Sequence, residues 1–327
     1  MLVTGAGCPA AVAFMQAAAE TGVELWAADS NRYAAGLYLV PAGRRVLLPS
    51  ASSPDFADQL LIVCQALAIE VIVPMLEDEL LPIASIRSRL AAARIGVLAS
   101  PGAVVASCLD QWLLVQVCLE HGVPVPRTRL IDRPMALRGF ARPFAIRRRM
   151  RTGWADATVV GEHSAAPTVP LDGSHILQEY LTGDEYSIDV LAYSNGHIAA
   201  VVPRSRRTQS GIAVAGSTLV DSALEDLGRR TARALQLTSV ASIHVRRDGA
   251  GTAKVIEVFP RFSSGMPLTI ASGVNMPALA LGDALGTHPP RNVEHGQVSM
   301  VHHWDQHFVE TSDLDDPLVD ELETLVR

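Results

Sequence analysis

The chain has 327 residues, 49% hydrophobic but only 5% aromatic, and a net charge of −7, which allows two or three domains and suits a packed α/β protein. Residues 305–327 hold eight acids and one base, Arg327, so residues 1–304 net zero; that excludes the domain-wide basic field of a nucleic-acid binder. The longest apolar run, Leu60 to Leu76, is interrupted by Gln65, Glu70 and Pro74, which argues against a membrane span.

The predicted elements begin as alternating strand and helix. Leu2 to Thr4 reads as a strand, Gly5 and Gly7 as a turn, and Pro9 to Glu20 as a helix with proline in its first turn. Glu24 to Ala27, Arg45 to Leu48, Val71 to Val73 and Gly96 to Leu98 read as further strands, separated by helices over 55–68 and 79–93. This rhythm predicts a parallel sheet covered by helices on both faces. Pro101 and Gly102 mark a boundary, and one helix is expected from Ala103 to His121, closed by Gly122 and Pro124. Strand-like segments follow at 127–130, 144–147 and 176–180, with 161–173 rich in loop residues. Glu185 to Ala192 and His197 to Pro203 form a hairpin around Ser194, Asn195 and Gly196. A helix spans 222–235, and a second hairpin pairs 239–246 with 254–258 around Asp248 and Gly249. A helix over 276–285 and a last strand at 298–302 precede an acidic terminal helix or tail.

Cys8, Cys64, Cys108 and Cys118 contain no Cys-x-x-Cys pair, and Met1 runs directly into a strand and turn without a signal-like segment. Both point to reduced thiols and a cytoplasmic protein. Cys8 stands at a helix start, where a thiol pKa falls, but a small core hydrophobe is the preferred reading. Gly5, Gly7 and Ala10, with Asp29 after the second strand, fit a dinucleotide fingerprint; a tight strand-to-helix turn is preferred, because Cys8 and Pro9 crowd the place of a pyrophosphate. A nicotinamide oxidoreductase would explain this turn and nothing beyond residue 105. His302, His303 and His307 read as a surface cluster rather than a metal site.

Six landmarks in order carry a resemblance. They are Thr4 to Gly7; Cys108 to Trp112; Phe144 to Gly153; Gln178, Glu179, Tyr180 and Leu181 followed by Gly183, Glu185, Tyr186, Ser187 and Asp189; Pro203 to Gly211; and Glu257-Val258-Phe259-Pro260-Arg261-Phe262 with Gly265, Pro267 and Gly273. In this order they resemble the ATP-grasp superfamily, in the arrangement of a carbamoyl-phosphate synthase large-chain domain. The resemblance implies an α/β fold with an N-terminal parallel-sheet domain at 1–102, ATP-grasp lobes at 103–180 and 181–308, and an acidic tail at 309–327. It implies ATP and Mg²⁺ as cofactors, and a carboxylate activated as an acyl phosphate for attack by an amine, ammonia or thiol. Arg147, Gln178, Glu179, Tyr180, Leu181 and Glu185 would then contact the nucleotide. Arg204 and Arg261 would steady the transferred phosphate or the substrate carboxylate. Glu257 would hold metal, with His244 at the place of its companion ligand. The expected ligand is a small carboxylate or phosphate, with a homodimer or a partner enzyme both open.

The chain departs from the family pattern at four positions. Gln111 and Arg147 stand where lysines hold phosphates, and Lys254 is the single lysine in the sequence. Phe259 stands where an asparagine holds Mg²⁺, and an aromatic ring offers no oxygen to a hard cation. His244 replaces an oxygen ligand, and imidazole suits transition metals better; a satisfied His–Glu pair with Glu257 is the preferred reading. The loop after Arg147 has one glycine, Gly153, so backbone has little room to approach phosphates. For the run Arg147 to Arg151, a phosphate clamp and a solvated basic loop are both open. The alternative to a ligase is a non-catalytic pseudoenzyme that binds a small anion or supports a partner.

Overall fold

A computed structural model describes residues 1–134, 139–151, 157–163, 167–209, 212–287, 289–303 and 305–315. Gly153, Gly211 and the tail beyond Asp315 lie outside the described residues.

The first module contains β1 (Leu2–Val3), α1 (Pro9–Ala19), β2 (Trp26–Asp29), β3 (Arg45–Leu47), α2 (Phe56–Ala66), β4 (Val71–Val73), α3 (Glu77–Ser85), α4 (Arg87–Ala92) and β5 (Gly96–Val97). Its sheet has the order β3-β2-β1-β4-β5, with every pair parallel. β1 and β4 are buried along their whole length, which is why they read as short apolar runs. The chain order reverses between β1 and β4, so the loops after these strands open a crevice where doubly wound sheets bind ligands. The helix expected over 79–93 is divided between α3 and α4 at Ile86.

A second division corrects the single helix expected over 103–121. It is α5 (Gly102–Leu109) and α6 (Gln111–Glu120), broken at Asp110, whose backbone is extended. The Asp110 carboxylate caps α6 by accepting from the Trp112 and Leu113 amides at 3.0 and 3.1 Å, and it also takes the Arg149 guanidinium. A cap of this kind contributes about 1 kcal/mol. The antiparallel sheet β6-β9-β7-β8 follows, made of β6 (Thr128–Leu130), β7 (Phe144–Arg148), β8 (Thr158–Val160) and β9 (His175–Glu179).

The third module has β10 (Glu185–Ala192), β11 (Ile198–Ser205), β12 (Arg207–Gln209), β13 (Ile212–Ser217), α7 (Ser222–Ala234), β14 (Ser239–Arg247), β15 (Ala253–Phe259), α8 (Met266–Ala271), α9 (Met276–Ala284), β16 (Ser299–Val301) and α10 (Thr311–Asp315). The main sheet is antiparallel, β11-β10-β14-β15, and a smaller one is β12-β13-β16. β8, β12 and β13 are strands that the sequence does not signal. α7 covers the main sheet, and Gly228 lets it approach Ile188 and Val201 closely.

The N-terminal module does not stand apart. Phe14 of α1 meets Phe262 edge to face, 4.8 Å between ring centres, in one core that also holds Met15, Leu191, Val202 and Met266. α10 lies against the first module, with Arg32 and Arg45 donating to the Leu314 and Asp313 carbonyls. Among the described residues, no helix is long and apolar enough to cross a membrane.

Candidate functional site

Three modules converge on a cleft with about 600 Å³ of open space. One end is formed by β9 and the segment after it, where Gln178, Glu179, Tyr180 and Leu181 line the wall. Leu181 and Gln178 are buried, at 4% and 2% exposure. Glu179 is held by Lys254, which donates to its carboxylate at 3.0 and 3.2 Å and also pairs with Asp248. The single lysine therefore stands at the Gln178–Leu181 end of the cleft.

The opposite end is crowded with arginine. Cross-strand pairing of β14 with β15 sets His244 opposite Glu257, and both line the cleft. Glu257 is ion-paired with Arg147, which also donates to Gln178 Oε1 at 3.3 Å. His244 accepts from Arg206 at 3.2 Å and is 3.9 Å from Glu257. Burial, together with the guanidinium groups of Arg206, Arg151, Arg204 and Arg261, pushes His244 well below its usual value. It is a neutral acceptor.

Phe259 is a shelf for cations. The Arg151 guanidinium sits 3.9 Å from its ring centre, Arg261 5.6 Å, and the His244 ring 4.5 Å. Arg151 is tied to Glu77 at 2.9 Å and to the Val258 carbonyl at 3.0 Å, while Arg261 reaches the same Glu77 at 3.5 Å. Glu185 takes both Arg206 and Arg246, at 3.2 and 3.0 Å. For a hard cation this end offers three carboxylates, Glu257, Glu77 and Glu185, each already engaged by guanidinium groups, with an imidazole and an aromatic ring beside Glu257. Among the described residues, no group of three or more His, Cys, Asp or Glu side chains is placed to hold a metal ion.

Through Leu76, Arg206, His244, Phe259 and Arg261 this cleft adjoins a smaller cavity of about 180 Å³. Its walls include Cys8, Met75, Ser242, Ser263 and Arg204. Arg204 and Asp189 form a buried pair at 2.7 Å, at 6% and 0% exposure. Thr269 and Ser263 also donate to Asp189, at 2.6 and 3.2 Å. The hydroxyl of Ser242, 1% exposed, has no partner.

Other sequence candidates go elsewhere. Gln111 is buried at the start of α6 with both amide atoms unpartnered, and it does not line the cleft. Asp29 accepts from the Gly7 and Asn31 amides at 2.8 and 2.9 Å, so the glycine turn satisfies its own donors. Gly5, at φ +59°, packs against Leu76. Burial raises the Cys8 thiol pKa, which disfavours a nucleophile. His302, His303 and His307 are exposed.

Sequence reasoning missed Glu77, Arg246 and the smaller cavity. Glu77 had a signal: it follows β4 at the carboxyl ends of the parallel strands. Ser242 had none, because alternation along a strand gives a face and not a neighbour.

Residues 173–307 match the family model of an ATP-grasp in the biosynthetic pathway with Ter operon, and residues 1–98 match the PylC-like N-terminal domain. An ATP-grasp domain thus occupies residues 173–307, behind a PylC-like N-terminal domain. Among solved structures it is similar to biotin carboxylase from Campylobacter jejuni, with 15% identity, TM-score 0.72, and coverage of 88% of this chain and 71% of that one. It is similar to N5-carboxyaminoimidazole synthetase from Staphylococcus aureus, with 14% identity, TM-score 0.73, and coverage of 99% and 85%. It is also similar to L-amino acid ligase from Bacillus licheniformis, with 16% identity, TM-score 0.67, and coverage of 87% and 73%. At these identities the likeness establishes the ATP-grasp fold. No curated protein matches the chain by sequence.

Proposed function

We propose that this ATP-grasp protein is an ATP-dependent ligase for a small carboxylate, acting in the cytoplasm. The observation that carries the reading is the junction of the two cavities at Arg206, His244, Phe259 and Arg261. A nucleotide laid along the larger cleft, with its base against Gln178 to Leu181, ends its phosphates at that junction. A carboxylate in the smaller cavity meets them there. Carboxylate oxygen attacks the γ-phosphorus, ADP leaves, and an acyl phosphate forms; an amine then attacks the acyl carbon and releases phosphate. Positioning and neutralisation of the phosphate charge supply most of the acceleration in such transfers.

The residues present do not suit Mg²⁺. The Glu257 carboxylate is spent on Arg147, Glu77 and Glu185 are held by other arginines, and Phe259 and His244 add no oxygen. Arg206 and Arg261 are the side chains of this chain that face the transferred phosphate, and Arg204 orients the smaller cavity through Asp189.

The test is phosphate release from ATP with pairs of the common amino acids as acid and amine, followed by mass detection of the amide. Release that requires both partners and tracks amide formation supports a ligase. ATP binding with no turnover for any pair moves the assignment to the second reading, a non-catalytic protein that holds a small anionic ligand or supports a partner enzyme. That reading is favoured by the Arg147–Glu257 ion pair, which closes the position where a metal ligand is expected.

A further inference from the structure

We propose that the phosphate end of the cleft is a metal-independent guanidinium clamp, in which Arg147, Arg151, Arg206 and Arg261 take polyphosphate oxygens directly. This rests on the reading above that the cleft receives ATP.

The charge balance is the first argument. Around the His244–Glu257 pair stand Arg147, Arg151, Arg204, Arg206, Arg246 and Arg261. These six share four carboxylates, Glu77, Asp189, Glu185 and Glu257. Counting exposed Asp78, which also lines the cleft, one positive charge is left over in a half-buried space, and an uncompensated buried charge is costly. An incoming polyanion removes that cost, and a further cation adds to it. Burial already lowers Arg147 to about 10, and lowers Arg151 and Arg206.

Unspent donors are the second argument. Arg151 Nη1 and Arg261 Nε are buried and have no hydrogen-bond partner, and both residues line the cleft. Buried donors are normally satisfied. Guanidinium groups match phosphate oxygens with paired, directional bonds.

Geometry is the third. Arg151 lies on the face of Phe259, at the position where the family carries an asparagine, and is anchored by Glu77 and the Val258 carbonyl. The ring holds a permanent cation by its quadrupole. The charge that a metal would bring is built into the chain.

The experiment is calorimetric titration of the whole protein with ATP in EDTA and in excess MgCl₂, and with inorganic tripolyphosphate in EDTA. Bound Mg²⁺ removes negative charge from ATP, so the clamp predicts binding in EDTA that is equal or tighter, by up to about tenfold, and weaker as NaCl rises. Arg147→Ala weakens binding in EDTA by about tenfold, as expected for loss of one charge-assisted contact. The Arg147→Ala, Phe259→Asn double variant frees Glu257 and adds an oxygen, and shifts the preference toward Mg–ATP. ATP binding that is tighter with Mg²⁺ in the unmodified protein overturns the clamp while leaving the ligase reading standing. Tripolyphosphate binding in EDTA, with no ATP binding under either condition, upholds the clamp and removes the nucleotide reading. Failure of both ligands to bind in EDTA overturns it. The decisive comparison uses the unmodified chain, so a variant that misfolds does not rescue the idea.

Discussion

Arg204 illustrates how a residue can be both structural and part of a site. Its guanidinium is buried against Asp189, which also accepts from Thr269 and Ser263. Breaking such a pair leaves one charge buried without compensation. Asp189→Ala and Arg204→Ala are each expected to cost about 3–5 kcal/mol in denaturant unfolding, and the double variant clearly less than their sum. Strict additivity would show that the two residues do not depend on each other. Ser242 is the opposite case. Its buried hydroxyl is unpartnered, so Ser242→Ala is expected to leave stability within about 1 kcal/mol of the parent, or to raise it. A large loss would reveal a hydrogen bond that the geometry does not contain. Neither environment was legible beforehand. The residue types at 189, 204 and 242 were visible, and the partners were not, because they come from segments up to 80 residues away.

At the scale of elements, the start of α3 carries a titratable joint. Glu79 is 4% exposed, and its carboxylate accepts from the Thr4 hydroxyl at 2.7 Å and from the Leu76 amide at 3.2 Å. Burial raises its pKa to about 7. The folded protein therefore holds this proton more tightly than the unfolded chain does. Stability is expected to fall as pH rises from about 4.5 to about 7, by an amount on the order of 3 kcal/mol, and to level off above. Glu79→Gln should flatten that decline when unfolding midpoints at pH 5 and pH 8 are compared; an unchanged slope assigns the effect to other groups. The elements themselves were largely readable, since apolar runs and hairpin turns are local signals. The sequence over 79–93 and 103–121 reads as continuous helix because the breaks at Ile86 and Asp110 lie in helix-compatible sequence. What divides the second one is a carboxylate claimed by Arg149, 39 residues on.

For the whole molecule, the cleft depends on how the N-terminal module is fastened to the third. The Phe14–Phe262 contact lies in their shared core, and both rings are fully buried. Phe262→Ala is expected to cost about 3–5 kcal/mol and to split a single calorimetric transition into two as the modules unfold separately. A single, merely shifted transition would mean that other contacts carry the coupling. Glu77 makes a polar fastening at the same seam, since one carboxylate from the first module serves Arg151 and Arg261 of the other two.

Sequence alone determined the class of fold, the order of its modules and the superfamily, because apolar periodicity, turn residues and motif order are written locally along the chain. It also marked the four departures at residues 111, 147, 244 and 259. Only the tertiary structure decided what those departures do. Arg147 closes on Glu257, Phe259 becomes the face on which Arg151 rests, and Gln111 is buried without lining the cleft. The reason is that a charge acquires its meaning from the few ångströms around it, where desolvation and partner choice set its energy, and those neighbours come from three segments far apart along the chain.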